Sequence, residues 1–237
     1  MKMKLLLLCF AWLAGTGLKA QQPPFWTEIN AFNKADSLVN PPAHPVVFTG
    51  SSSIRLWKGL KDSFPALTLI NRGFGGSSLT DMIRYENETV LRYKPKQVVI
   101  YCGENDIASS DTVTADMVLK RFKKWFSDIR EQYPGLPITF ISIKPSPSRW
   151  HMRERMVESN RLIKAFLETE KHTDFINVWD PMLDANGNPD ASLFVSDNLH
   201  MNAKGYAIWG ELVEPYVLTK KKKRKQNQKL KQELLTK

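Results

Sequence analysis

The chain has 237 residues, of which 42% are hydrophobic and 24% are charged. These are ordinary values for a globular protein, and they argue against collagen-like, coiled-coil or wholly disordered architectures. The chain is long enough to bury one large hydrophobic core, and no obvious linker divides its middle. We therefore expect a single domain.

The formal net charge of +10 is concentrated at the two ends of the chain. Residues 1–20 carry three lysines and no acid, and residues 219–237 carry nine basic residues and one glutamate. Residues 21–218 keep 22 basic and 23 acidic residues, so this central part is almost neutral. The charge therefore gives no reason to expect a specific nucleic-acid partner for the predicted domain over 21–218.

The first 20 residues have the pattern of an export signal. Lys2 and Lys4 precede an apolar run over residues 5–14 that is too short for an ordinary membrane span, and Ala20 supplies a small residue before a cleavage point. A buried N-terminal helix is the alternative interpretation. With the signal removed, the protein is expected in a periplasm or outside the cell, and Cys102 is the only cysteine left, so no internal disulfide can form.

Short apolar runs alternate with polar, helix-length segments through the rest of the chain. After a helical stretch over residues 25–39, the predicted strands are residues 45–49, 67–70, 97–102, 137–143 and 174–179. The further predicted helices are residues 80–93, 114–133, 150–171 and 202–217. Continuous apolar strands between amphipathic helices are typical of a sheet covered on both faces. We therefore predict a three-layer α/β/α sandwich with a five-stranded parallel sheet.

Glycine-rich and polar residues follow several of these predicted strands. Ligands of an open parallel sheet bind beyond the carboxyl ends of the strands, so these junctions are where a site is expected. The junctions are Gly50-Ser51-Ser52-Ser53 after the first strand, Asn71 to Ser78 after the second, Gly103-Glu104-Asn105-Asp106 after the third, and Asp197-Asn198-Leu199-His200 well after the fifth.

In order and spacing, these four junctions resemble the sequence blocks of the SGNH (GDSL-type) hydrolases over about residues 45–215. The resemblance implies a flavodoxin-like SGNH hydrolase fold and an esterase or acylhydrolase activity that needs no cofactor. By residue, it implies Ser52 as nucleophile, Gly76 and Asn105 as oxyanion donors, Asp197 as orienting acid and His200 as base. The aspartate that usually precedes the nucleophile is Ser51 here, so Ser51 and Ser53 remain alternatives to Ser52.

The residue types suit acyl transfer on chemical grounds as well. A serine hydroxyl needs a neighbouring base, and His200 is the candidate. Asp197, three residues earlier on a predicted tight helical turn, would hold the imidazole in one tautomer. The backbone N–H groups of Ser52 and Gly76 and the amide of Asn105 would donate to the oxyanion.

Plainer explanations exist for each block. Residues 50–54 can be a polar turn that caps a helix, and the glycines at 73–76 can be a flexible turn or part of a phosphate loop, although Ser78 stands where a dinucleotide fingerprint needs glycine. Asn105 can be a turn residue, and His200 a surface histidine. The sequence has no Gly-x-Ser-x-Gly elbow and no His-Glu-x-x-His or Cys/His cluster, so neither an α/β-hydrolase nor a metal site is predicted.

The substrate is less well determined. Phe74, Arg149 and Trp150 are predicted substrate contacts, although core packing or surface display is an equal alternative for each. No long apolar lid is visible, which favours a short acyl group such as acetyl on a carbohydrate over the chains of lysophospholipids. A non-catalytic module that binds glycan or an anionic surface on the same fold is the second functional class.

The C-terminal tail, residues 219–237, is strongly basic. It is either a solvated extension or a contact with an anionic surface such as lipid headgroups or cell-wall polymer. The cluster that would make this contact consists of Lys220, Lys221, Lys222, Lys223, Arg224 and Lys225. The sequence does not indicate an oligomeric state.

Overall fold

The computed structural model describes residues 22–217. The predicted export signal at 1–20 and the basic tail at 219–237 lie outside these described residues. No helix within residues 22–217 is both long and apolar enough to cross a membrane.

Five strands and nine α-helices alternate along residues 22–217. The strands are β1 (Val46–Gly50), β2 (Leu69–Gly73), β3 (Gln97–Tyr101), β4 (Ile138–Ile141) and β5 (Thr173–Ile176). The helices are α1 (Trp26–Leu38), α2 (Ser52–Arg55), α3 (Leu60–Ser63), α4 (Leu79–Arg84), α5 (Glu86–Thr89), α6 (Glu104–Ala108), α7 (Ala115–Gln132), α8 (Arg153–Thr169) and α9 (Ala203–Val217). Single 3₁₀ turns occupy Leu91–Tyr93, Asp180–Met182 and Ala191–Leu193, and a longer 3₁₀ segment over Pro147–Met152 is kinked at Arg149.

The strands form one parallel sheet in the order β2-β1-β3-β4-β5. All five residues of β1 are buried, because helices cover both faces of the sheet. One core includes Phe122 of α7 and Phe140 of β4, and a second includes Phe48 of β1 and Trp209 of α9. The predicted three-layer sandwich with five parallel strands is confirmed.

The predicted helix over residues 80–93 is wrong in detail. Three short pieces, α4, α5 and the turn Leu91–Tyr93, replace it. α4 begins with a capping box in which Ser78 and Asp81 each accept the other's backbone N–H. Val90 leaves helical geometry with φ −135° and ψ −62°, and its β-branched side chain is fully buried in the core. Tertiary packing therefore overrides the helical pattern here.

Two glycines allow short helices to begin directly after central strands. Gly50 has φ +127°, and a Cβ built there would lie 1.9 Å from the Tyr101 carbonyl oxygen, so only glycine fits between β1 and β3. Gly103 has φ +113° and precedes α6. The resulting sharp turns place the first residues of α2 and α6 at the same carboxyl edge of the sheet.

Candidate active site

The structure brings together Ser52, His200 and Asp197 at the carboxyl edge of the sheet. Ser52 Oγ lies 3.0 Å from His200 Nε2, and His200 Nδ1 lies 2.6 Å from Asp197 Oδ2. A carboxylate only accepts, so Nδ1 carries the ring proton and donates it to Asp197, which leaves Nε2 to accept from the serine hydroxyl. The three side chains therefore form one continuous hydrogen-bonded chain.

Asp197 also shapes the turn that carries the histidine. Its Oδ1 accepts from the backbone N–H groups of Leu199 and His200, each at 2.8 Å. Asn198, which follows Asp197, has φ +56°, so the predicted helical turn is wrong and a side-chain-capped, left-handed turn takes its place. The capped turn still brings the carboxylate to the imidazole.

The acidity of Asp197 follows from these contacts. Partial burial raises the pKa of its carboxyl, but hydrogen bonds from the His200 ring and from the backbone N–H groups of His200 and Leu199 outweigh that effect and lower the pKa to about 2. Asp197 is therefore ionised at neutral pH, as an acceptor for the imidazole must be.

The serine run 51–53 presents a single hydroxyl to the histidine. Ser52 is the first residue of α2 and is partly exposed, whereas Ser51 and Ser53 are each 3% exposed. Of the three hydroxyls, that of Ser52 contacts His200. Exposure and the contact with His200 therefore both favour Ser52 over Ser51 and Ser53 as the candidate nucleophile.

Gly76 and Asn105 lie close to each other. A Cβ built on Gly76 would be 3.9 Å from Asn105 Nδ2. Within residues 22–217, no acceptor bonds the backbone N–H of Ser52 or of Gly76. These two N–H groups and the Asn105 amide are donors of the kind that stabilise an oxyanion.

Contacts with α1 and with the end of β1 hold residues 74–78, the loop between β2 and α4 that is called the Gly76 loop below. The backbone N–H of Gly75 donates to Glu28 Oε2 of α1 at 2.8 Å. Phe74 N–H donates to the Gly50 carbonyl at 3.0 Å, which joins the loop to the end of β1. The sequence predicts helix α1 but gives no signal that Glu28 reaches this loop.

The aspartate of the Gly-x-Asn-Asp block is a structural anchor. Asp106 is fully buried, accepts from the Leu79 N–H at 2.8 Å, and pairs with Arg121 Nη1 at 2.8 Å. Burial raises the pKa of its carboxyl, although the bonds from Leu79 and Arg121 oppose the shift. Asp106 thus ties the start of α4 to the start of α6.

A buried charged cluster lies behind Asn105. Glu104 Oε2 accepts from Lys144 Nζ at 2.7 Å and from the Tyr101 hydroxyl, and its Oε1 accepts from Ser146 Oγ at 3.1 Å. Burial raises the pKa of Glu104, but Lys144 and Arg149 outweigh it and hold that pKa below its usual value. The sequence places Glu104 and Lys144 after adjacent strands but gives no reason to pair them.

The three predicted substrate contacts fare differently. Phe74 is fully buried, with its ring edge-on to Phe25 and Tyr85, so the prediction that it contacts substrate is wrong. Trp150 is partly exposed and stacks on Trp179 with 5.7 Å between ring centroids. The guanidinium of Arg149 reaches Asn105 Oδ1 at 3.0 Å, so this side chain does lie beside the site.

A cavity of about 650 Å³ lies next to His200 and Asp197. Its wall includes the Asp197 and His200 side chains together with Trp57, Val195 and Tyr206. Trp57 and Tyr206 stack with 5.5 Å between ring centroids, and the Tyr206 hydroxyl donates to the Ser53 carbonyl. The cavity is large enough for a sugar residue or a small acyl group next to Asp197 and His200.

Within the described part of the chain, no three His, Cys, Asp or Glu side chains are grouped as metal ligands. The buried carboxylates near the site, Glu104 and Asp106, are neutralised by Lys144 and Arg121.

Several solved structures share the fold. A Streptococcus pneumonia protein with the provisional name platelet activating factor has TM-score 0.72 and 19% identity, over 82% of this chain and 93% of that chain. A GDSL-like lipase from Bacteroides thetaiotaomicron has TM-score 0.65 and 20% identity, over 78% and 94%. An acetylxylan esterase from Geobacillus stearothermophilus has TM-score 0.58 and 15% identity, over 72% and 92%.

None of the curated proteins searched matches the chain. The model of the GDSL-like Lipase/Acylhydrolase family matches residues 36–208, a span that contains α2, the Gly76 loop, α6 and the Asp197 turn. By that match, and with the SGNH hydrolase architecture described above, the chain belongs to the GDSL-like lipase/acylhydrolase family.

Proposed function

We propose that this protein is a serine esterase that hydrolyses short acyl esters, acetyl esters of carbohydrates above all, with Ser52 as the nucleophile. The observation that carries the proposal is the unbroken chain of hydrogen bonds from Ser52 through His200 to Asp197. With its proton on Nδ1, the His200 imidazole presents Nε2 as an acceptor to the Ser52 hydroxyl, as a general base must.

In the first half of the reaction, Ser52 Oγ attacks the ester carbonyl carbon while His200 Nε2 takes the hydroxyl proton. The carbonyl oxygen becomes an oxyanion and accepts from the N–H groups of Ser52 and Gly76 and from the Asn105 amide. His200 then gives its proton to the departing alcohol oxygen. The carbon–oxygen bond to the alcohol breaks, and an acyl ester on Ser52 remains.

In the second half, water attacks the acyl carbon and His200 accepts a proton from it. The oxyanion forms again at the same donors, and its collapse breaks the bond to Ser52 Oγ, which recovers its proton from His200. The carboxylic acid leaves and the free enzyme is restored. Ionised Asp197 stabilises the imidazolium in both halves.

The proposed acyl length rests on the absence of a long apolar lid in the sequence and on the polar surroundings of Ser52. These surroundings include the Arg149–Asn105 pair and the carboxylate of Asp197. The acetylxylan esterase that shares the fold is an example of acetyl-sugar chemistry on this architecture. A series of p-nitrophenyl esters tests the proposal: rates should fall from acetyl to decanoyl, and a preference for decanoyl would favour a lysophospholipase-type activity.

Hydrolysis of p-nitrophenyl acetate by the wild type and Ser52→Ala tests the chemistry itself. Loss of the nucleophile should lower kcat by about 10⁴-fold or more. Ser127→Ala, which alters an exposed serine on α7, is the matched control and should keep the wild-type rate. Equal rates for the wild type and Ser52→Ala would remove the esterase assignment and leave the binding module.

Export after cleavage of residues 1–20, and contact of the tail with an anionic surface, are further parts of the proposal. N-terminal sequencing of protein recovered outside the cytoplasm should begin near Gln21. Co-sedimentation with phosphatidylglycerol vesicles should be lost on deletion of residues 220–237 and weaken as salt rises. Binding that survives the deletion, or is indifferent to salt, would contradict the surface role.

A further inference from the structure

The side-chain amide of Asn105 is held from two sides. Arg149 Nη1 donates to Asn105 Oδ1 at 3.0 Å, and Asn105 Nδ2 donates to the Ser77 carbonyl at 3.1 Å. A guanidinium has no acceptor, so it fixes the oxygen of the amide towards Arg149 and the NH₂ group away from it. One N–H of the NH₂ group is used by Ser77, which leaves the second N–H on the side of Gly76.

Arg149 is itself held by the buried cluster. Its Nη1 lies 3.4 Å from Glu104 Oε1, and Lys144 Nζ lies 2.7 Å from Glu104 Oε2. Glu104 is 3% exposed and Lys144 is 1% exposed. Burying such a pair is unfavourable unless its geometry is well satisfied, and a pair of apolar residues would serve stability as well. Stability alone therefore does not explain why Glu104 and Lys144 are buried together.

We propose that Arg149 is a positioning residue that locks the amide orientation of Asn105, and that the Glu104–Lys144 pair fixes Arg149 for this purpose. The inference rests on the proposed esterase function. Without Arg149, rotation about the last side-chain bond would turn the Asn105 oxygen towards the oxyanion and replace a donor with a repulsive acceptor. Glu104 pairs with two cations, Lys144 and Arg149, so the three side chains together carry a net positive charge close to Asn105.

The segment that carries Arg149 also contacts the turn that carries Asp197 and His200. The Ser148 N–H donates to the Asn198 carbonyl at 3.1 Å, inside the turn formed by Asp197. Lys144 and Arg149 therefore belong to one stretch of chain that contacts both Asn105 and the His200 turn. This stretch can therefore fix the position of Asn105 relative to His200.

A double-mutant cycle on p-nitrophenyl acetate tests the inference. Asn105→Ala should lower kcat/KM by about 10²–10³-fold, and Arg149→Met should lower kcat by about 10–100-fold with KM changed less than about twofold. The double variant should lie within about threefold of Asn105→Ala, because the two residues act through one hydrogen-bond donor. Arg161→Met, an exposed ion-paired arginine on α8, is the matched control and should keep wild-type rates.

A second substrate separates positioning from direct substrate binding. On p-nitrophenyl hemisuccinate, which carries a carboxylate, Arg149→Met should lose the same factor as on the neutral acetate. Losses that multiply in the double variant, or a KM effect confined to hemisuccinate, would show that Arg149 binds substrate and overturn the inference.

Two further measurements distinguish a loss of positioning from misfolding of the Arg149 variant, and test the inference even if p-nitrophenyl esters are not turned over. Arg149→Lys keeps the charge beside Glu104 but not the planar fork, so it should retain the wild-type melting temperature with a lowered kcat. Labelling by a fluorophosphonate, followed by intact mass, reports Ser52 reactivity directly and should slow in both Arg149 variants. A Ser52-dependent wild type with unchanged rates in these variants overturns the inference alone, whereas a wild type without Ser52-dependent reaction overturns the proposed function as well.

Discussion

Asp197 contacts His200 twice, through the backbone N–H at 2.8 Å and through ring Nδ1 at 2.6 Å. One carboxylate oxygen thus builds the turn, and the other orients the His200 ring, the proposed general base. The two tasks can be separated by substitution, because an asparagine keeps an oxygen for the backbone but presents NH₂ to the ring.

Asp197→Asn should therefore keep the fold and lose the chemistry. The amide NH₂ facing Nδ1 favours the tautomer with its proton on Nε2, where no acceptor is left for Ser52, and kcat should fall by about 10³–10⁴-fold. The melting temperature should stay near that of the wild type. Asp197→Ala removes both contacts and should lower activity and melting temperature together. An Asn variant with more than a tenth of wild-type kcat would contradict the orienting role.

Gly50→Ala should strongly destabilise the protein. The residue has φ +127°, and a methyl group would meet the Tyr101 carbonyl oxygen at 1.9 Å, so both strain and overlap arise. We expect the free energy of unfolding to fall by at least about 2 kcal/mol in urea titrations. Gly59→Ala is the matched control, since Gly59 has φ −81° and no atom within 4 Å of a built Cβ. Similar losses in both variants would contradict the steric argument.

Glu28→Ala should weaken the Gly76 loop without removing a side chain of the triad, although Glu28 also pairs with Arg55 of α2 at 3.7 Å. The side chain accepts from the Gly75 N–H at 2.8 Å, and its removal frees a backbone group next to the predicted oxyanion donor. We expect kcat/KM on p-nitrophenyl acetate to fall by about threefold to tenfold, which corresponds to one hydrogen bond of about 1 kcal/mol. Glu168→Ala, on the exposed face of α8, should leave kcat/KM unchanged. An unaltered rate in Glu28→Ala would show that the loop holds its shape alone.

Glu86 should make stability fall as pH rises from about 4.5 to 7. Burial and the nearby Asp128 carboxylate raise the pKa of Glu86 from 4.5 to about 7. Between these values the unfolded chain releases a proton that the folded chain keeps, so the contribution of this group declines with pH and then levels off. Glu86→Gln should remove that decline in urea unfolding at pH 4.5, 6 and 8, whereas Glu154→Gln, at a highly exposed side chain, should not. A decline that persists in Glu86→Gln would assign it to other groups.

The sheet could be predicted because burial on both faces leaves a direct mark on the sequence. The central strands β1, β3 and β4 are rich in apolar residues and almost wholly buried, whereas the edge strands β2 and β5 are partly exposed. The polar residues that follow three of the strands converge at one edge. Phe74 shows the limit of this reasoning. It follows β2 beside the glycines of the loop, but whether its ring faces core or solvent depends on packing against Phe25 and Tyr85, distant in sequence.

The supports of the site could not be predicted for the same reason. Arg149 and Asn105 are 44 residues apart, and their contact depends on side-chain rotamers as well as on the path of the chain. A lysine after β4 reads as a surface residue by composition, yet Lys144 is buried against Glu104. Sequence patterns report which residues are available for chemistry, whereas the partners that hold them in place are properties of the folded chain.

The order β2-β1-β3 has a consequence for how such a site can change over time. Ser52 follows β1, which lies between β2 and β3, so the segments after those two strands flank it, and they carry Gly76 and Asn105, the proposed oxyanion donors. Asp197 and His200, the proposed proton-transfer pair, lie on a separate loop before α9, which contacts Ser52 through His200 and Ser148 through Asn198. Variation in that loop could retune proton transfer while the cradle for the oxygen atom stays as the sheet built it.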